Sequence, residues 1–218
     1  MTNFKLHLPI RAGVIEVKEI TVSEDKRVYQ KLSKFGRAYH DKYSGNPVSE
    51  IPGVQNACKL FRALGIEPTK HRPSSEAMLR RFLKGKEAYS VNSLVDVSNW
   101  CALDFLLPNG VYDRSNIFGN IELRKGRIGE SYIGLNNLDV HLKERYALAD
   151  EQGPFGSPKT DSRRTCVDVD TREIIAIIYA PEDYDPKRLR EQCELYSDRL
   201  IEFCGGVLES CLILNNQS

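Results

Sequence analysis

Asn92, Asp96 and Asn99 are spaced i, i+4 and i+7, which on a helix places three polar side chains on one face of a largely apolar stretch. Buried amides and carboxylates must be hydrogen-bonded, so this ladder either pins neighbouring loops or points into a cleft. A second group is Arg72-Pro73-Ser74-Ser75-Glu76, with Arg80, Arg81, Lys84 and Lys86 on the turns that follow. Glu76 there suits a helix cap or an ion pair with Arg72 or Arg80. The cations suit either a solvated helix face or the phosphates of an RNA backbone. A third group runs from Asp150 and Glu151 through Ser157, Asp161, Ser162, Arg164 and Thr165. Adjacent carboxylates at a strand end hold an ammonium group or position a water, and loop hydroxyls and N–H groups stabilise an anionic oxygen. A plain polar turn accounts for the same loop.

Other chemistries are excluded by what surrounds the reactive side chains. No serine sits in a Gly-x-Ser-x-Gly elbow, and neither a phosphate loop nor a dinucleotide fingerprint is present. His7, His40, His71 and His141 are scattered through segments of different type, and nothing near Cys101 or Cys166 marks a base. The six cysteines show no Cys-x-x-Cys pair and no histidine at zinc-finger spacing, so they read as reduced thiols, and neither metal nor cofactor is expected. Thirty-one Lys and Arg against thirty Asp and Glu give a net charge of +1. Such a chain has no global field to draw in nucleic acid, so any RNA contact is a local patch and no DNA partner is expected. No apolar run is long enough to span a membrane, and with unpaired cysteines this predicts a cytoplasmic protein.

The elements that must position these residues follow from periodicity. Val28, Leu32, Phe35 and Tyr39 predict an amphipathic helix over 23–43. A shorter one carries Val54, Ala57, Phe61 and Leu64, and a third opens at Pro73 and closes at Gly85. The polar ladder lies on a fourth, over 91–106. From Val111 the texture changes to short strands, at 121–124, 131–135 and 146–149. Ile174 to Ile178 run apolar without alternation, which predicts a central strand covered on both faces. Asp185 and Pro186 open a last helix that Gly205 and Gly206 close, and 207–214 returns as a strand. At 218 residues, one mixed α+β domain is expected, with a central mixed sheet flanked by helices.

The ordered series Arg72-Pro73-Ser74-Ser75-Glu76-Ala77, Val91-Asn92-Ser93-Leu94-Val95-Asp96-Val97-Ser98-Asn99 and Gly110-Val111-Tyr112-Asp113 resembles the editing domain of the phenylalanyl-tRNA synthetase β subunit. That domain, built from the synthetase's two central modules, carries an Ile-Asn-Asn-x-Val-Asp-x-x-Asn helix and a His-Ala-Phe-Asp turn at similar spacing. The similarity continues through Tyr146-Ala147-Leu148-Ala149 and Ser162 to Ile178-Tyr179-Ala180, and is greatest to free-standing proteins of this type. It makes 72–181 the motif core, with 1–71 and 182–218 as accessory layers of the same domain.

The resemblance implies hydrolysis of the ester joining a wrong amino acid to the terminal adenosine of tRNA. Such a site is needed because a synthetase pocket cannot strongly reject an analogue differing by one small group. It implies Asp96, Asp150 and Glu151 as the catalytic set. Asn92, Asn99, Tyr112, Asp113, Ser157, Asp161, Ser162, Arg164, Thr165 and Tyr179 would surround the substrate, and Arg72, Arg80, Arg81, Lys84 and Lys86 would contact the RNA. The sequence departs from the family where the histidine of the turn aligns with Gly110 and a small pocket residue aligns near Tyr179. Tyrosine is therefore not the expected substrate; an arginine-like cationic analogue suits the acidic residues, and a non-catalytic binding module is the alternative.

Overall fold

The computed structural model describes residues 3–143, 145–157 and 160–216. The strands are β1 (Phe4–Leu6), β2 (Ile10–Lys18), β3 (Asn109–Asp113), β4 (Ile121–Lys125), β5 (Ser131–Ile133), β6 (Asp139–His141), β7 (Tyr146–Asp150), β8 (Gly153–Gly156), β9 (Glu173–Pro181) and β10 (Val207–Asn215). The helices are α1 (Lys26–Tyr43), α2 (Val54–Ala63), α3 (Ser74–Leu83), α4 (Ser93–Phe105) and α5 (Pro186–Cys204).

The unalternating apolar run does form a central strand. β9 lies between β2 and β3 in an antiparallel sheet of order β10-β2-β9-β3. Successive side chains of a strand point to opposite faces. Ile174, Ala176 and Ile178 therefore join Ile15 and Val17 of β2 under α4 and α5. Ile175, Ile177 and Tyr179 face the other way, with Ala12 and Val14, onto a second sheet. That sheet has the order β1-β4-β7-β8, parallel at β1-β4 and antiparallel elsewhere. The molecule is thus a helical layer, a central sheet, and a second sheet joined by α2, as the mixed α+β reading expects.

The segments before 72 and after 181 hold β2 and β10, which lie side by side in the central sheet, and α5, which covers it. β1, β2, β6 and β8 are strands that the periodicity left unassigned. At the other end of the pattern, Asn92 is the N-cap of α4 rather than a residue within it, its side chain accepting from Val95 N at 2.9 Å. Pro73 likewise caps α3 rather than opening it. Leu106 ends α4 in the left-handed region (φ 53), with its side chain buried against Val54 and Leu103, and the chain turns there into β3. All six cysteines are free thiols.

Candidate functional site

Val95, Ser98, Asn99 and Ala102 share one face of α4 and form a wall of a cleft of about 420 Å³. The opposite side is made by Asn109, Gly110 and Val111 of β3 and by Asp161, Cys166 and Val167, with Met78 of α3 and Leu135 at the edges. Asn109 ties the two sides together. Its Oδ1 accepts from Ser98 Oγ and its Nδ2 donates to the Ser98 carbonyl, both at 3.0 Å. Asn99 also lines the cleft, and its amide makes no hydrogen bond among the described residues. The walls are mostly apolar, and Asp161 is the carboxylate among the lining residues.

Behind Asp161 the sheet supplies two fully buried phenols. Tyr112 and Tyr179 project from β3 and β9 into the space between the sheets, with their hydroxyls 3.2 Å apart. The Asp161 carboxyl stands close enough to the Tyr112 hydroxyl for the phenol to favour its ionised form. Burial raises both phenols well above their ordinary range, so they are neutral donors. Either phenol can donate in the contact between them, and a Tyr112 O–H turned toward Asp161 favours the carboxylate. Burial pushes Asp161 up to about 6, while the Tyr112 hydrogen bond pulls the other way. The group is therefore mainly ionised at neutral pH. Two glycines make room for the Tyr112 ring: a Cβ at Gly110 would run into its hydroxyl, and one at Gly156 would sit 2.6 Å from its Cε1. The space beside Gly110 is thus filled by Tyr112.

The remaining predicted residues are placed elsewhere. Asp96 is fully buried and is not among the residues lining the cleft; its oxygens accept from Ser90 Oγ at 2.6 Å and Val91 N at 3.0 Å, pinning the chain that enters α4. Of the polar ladder, only Asn99 reaches the cleft, because Asn92 and Asp96 are consumed in shaping the helix start. Asp150 forms a two-pronged ion pair with Arg164, 2.9 Å at each contact, and accepts from Phe118 N and Gln152 N. Glu151 is exposed in the β7–β8 turn, away from the cleft lining. Asp113 accepts from Thr171 Oγ1 and Ser115 N. It is a buried loop anchor and not a rim residue.

Described N–H groups of the loop after β8 are bonded to neighbouring strands and to the loop itself. Ser162 N donates to the Phe155 carbonyl, Arg163 N to the Ile133 carbonyl, and Thr165 N to Ser162 Oγ. Those N–H groups are not available to an oxyanion. Ser157 lines the cleft, and Pro158 and Lys159 lie outside the described residues. The basic group divides in two. Arg72 and Arg80 flank the nearly buried Glu76, at 3.5 and 2.7 Å, beside Arg62. Arg81 lies over the Tyr89 ring, 4.1 Å from its centroid, and Lys84 and Lys86 are exposed at the helix end. Val95, Ser98, Ala102 and Asn109 were not singled out in the sequence, although the first three share the helical spacing of Asn99. No helix among the described residues is long and apolar enough to cross a membrane.

Comparison with known proteins gives concordant matches. Residues 56–205, more than half of the chain, match the family model described as the B3/4 domain. A phenylalanine–tRNA ligase β subunit of Brucella abortus (strain 2308) is 27% identical over 191 residues, covering 76% of this chain and 22% of the relative. That of Paramagnetospirillum magneticum is 28% identical over 162 residues, covering 72% and 20%. The chain thus spans about a fifth of the length of these relatives. The crystal structure of an N-terminal fragment of the phenylalanyl-tRNA synthetase β subunit from Pyrococcus horikoshii superposes with a TM-score of 0.54 at 13% identity, over 95% of this chain and 51% of the fragment. That likeness is one of fold.

Proposed function

This chain belongs to the B3/4 domain family, and from that premise we propose that it binds the acceptor end of tRNA and hydrolyses the ester of a non-cognate aminoacyl-tRNA. The observation that carries the reading is the one carboxylate among the described lining residues, Asp161, set beside Tyr112 in a mostly apolar cleft. Apolar walls take the aliphatic stem of an amino acid, and the carboxylate takes a cationic head, by a charge-assisted hydrogen bond. An arginine-like analogue meets both demands. The ionic role falls to Asp161 because Asp150 is already paired with Arg164 and Glu151 stands outside the cleft.

The Asn99 amide, which has no hydrogen-bond partner among the described residues, donates to the ester carbonyl oxygen as charge develops there. A water attacks the carbonyl carbon, the bond to the ribose oxygen breaks, and the water's proton ends on the leaving hydroxyl. Arg72, Arg80, Arg81, Lys84 and Lys86 contact the phosphates of the acceptor stem. In this reading the protein acts in the cytoplasm alongside translation.

The test is a panel of tRNAs charged with correct and incorrect amino acids, arginine analogues included, followed for amino-acid release. Release from at least one mischarged member is expected. Asp161→Asn should lower it on the order of a hundredfold, as expected for removing one side of a desolvated charge pair. Release from none sinks the hydrolase reading, and binding of uncharged tRNA without release identifies a non-catalytic module.

A further inference from the structure

A second cavity, of about 300 Å³, shares a wall with the cleft: Ser157 lines both. Its sides are apolar, from Leu64 and Ile66 after α2 and from Val140, Leu142 and Tyr146. Two exposed cations, Lys70 and Arg145, stand at its edge, and neither makes an ion pair among the described residues. Glu67, also at this edge, is held by Thr69, whose N and Oγ1 donate to Glu67 Oε1 at 3.2 and 2.9 Å. The Tyr146 hydroxyl is buried with no hydrogen-bond partner among the described residues, which is costly unless something supplies one. On the far side of the 67–72 segment, Pro68, Thr69 and Arg72 line the recess of Arg62 and Arg80, where three arginines outnumber Glu76. An arginine recess, an apolar slot with cations at its edge, and the acidic cleft therefore follow one another around a single stretch of chain.

We propose that the slot seats the 3′-terminal nucleobase of the RNA, so that the ester attached to its ribose reaches past Ser157 into the Asp161 cleft. This rests on the hydrolase reading above and adds a location to it. The volume lies at the small end of ligand pockets and the walls are apolar, as a base face requires. Lys70 and Arg145 lie where the terminal phosphates would pass, and the Tyr146 hydroxyl meets the polar edge of the ring. The arginine recess continues the phosphate track. Base stacking against protein is the usual source of affinity for a single strand, and backbone cations supply the rest.

The experiment measures binding of a fluorescent single-stranded RNA tetramer ending in cytidine, cytidine and adenosine, against the same tetramer with an abasic 3′ residue. The wild type should prefer the adenosine-ended strand by about tenfold, the scale of one stacked base. Ile66→Trp, which fills the slot, should abolish the preference, and Tyr146→Phe, which keeps the ring and changes only the hydroxyl, should reduce it severalfold. Equal binding of the two strands by the wild type overturns the proposal, as does a preference untouched by both variants. Release from charged tRNA is scored separately. Release without terminal-base preference refutes the slot and leaves the hydrolase standing, whereas preference without release does the reverse.

Discussion

Asp161 is the residue whose charge the cleft controls. With its carboxyl raised to about 6 by burial, it is ionised above that pH and protonated below it. If the carboxylate holds the substrate's cationic group, kcat/KM for release falls about tenfold per unit as pH drops below about 6, and Asp161→Asn removes that dependence. Stability moves in the opposite sense. The folded state holds the Asp161 proton more tightly than an unfolded chain, whose aspartates titrate near about 3.9. Stability is therefore lost as pH rises from about 4 through about 6. Asp161→Asn should melt at a higher temperature than wild type at pH 7 and at a similar one at pH 4, while being poorer at release. A variant that is inactive and also less stable at pH 7 would mean that the carboxylate is structural. At this scale the types of the site residues are legible in the sequence but their roles are not. Asp161 and Asp150 stand in the same stretch of polar chain, and only the neighbours brought by folding separate them: Tyr112 for one, Arg164 for the other.

At the scale of the element, α4 carries both the scaffold and the site. Its periodicity predicts a polar face shared by Asn92, Asp96 and Asn99, but Asn92 caps the helix from outside it and only Asn99 lines the cleft. What periodicity does not contain is the chain entering the helix, where Ser90 and Val91 fold back and claim Asp96. Asp96→Ala would leave the Ser90 hydroxyl and the Val91 N–H without their acceptor, a loss of about 1–2 kcal/mol because both groups can turn to water. Chemical denaturation should report that loss. The folded fraction of the variant should retain release close to wild type, because Asp96 does not line the cleft; a hundredfold loss of release at unchanged stability would return it to the catalytic set. β2 was illegible for a related reason. Arg11, Gly13 and Glu16 interrupt its apolar pattern, and its identity as an inner strand comes from partners supplied by β9 and β10, remote in sequence.

At the scale of the molecule, the motif series and the folding unit do not coincide. The motifs lie between 72 and 181, yet β9, on which Tyr179 sits, needs β2 to satisfy one edge through nine paired positions from Ile10↔Pro181 to Lys18↔Glu173. Its helical face is closed by Leu189, Cys193, Tyr196 and Leu200 of α5. A fragment of residues 72–181 keeps the whole series of motifs, but it exposes an unpaired strand edge and half of an apolar core. Such a strand is an aggregation template. The fragment should therefore show no cooperative thermal transition by far-UV circular dichroism, whereas residues 3–216 should show one. The alternative, that the flanks are additions to a self-sufficient motif core, requires the fragment to melt cooperatively and to bind RNA with the affinity of the whole. The pairing of β2 along one edge of the site strand and the packing of α5 on its helical face argue for the first outcome, because any loosening of β9 moves Tyr179, which contacts Tyr112 beside the carboxylate that the cleft is built around.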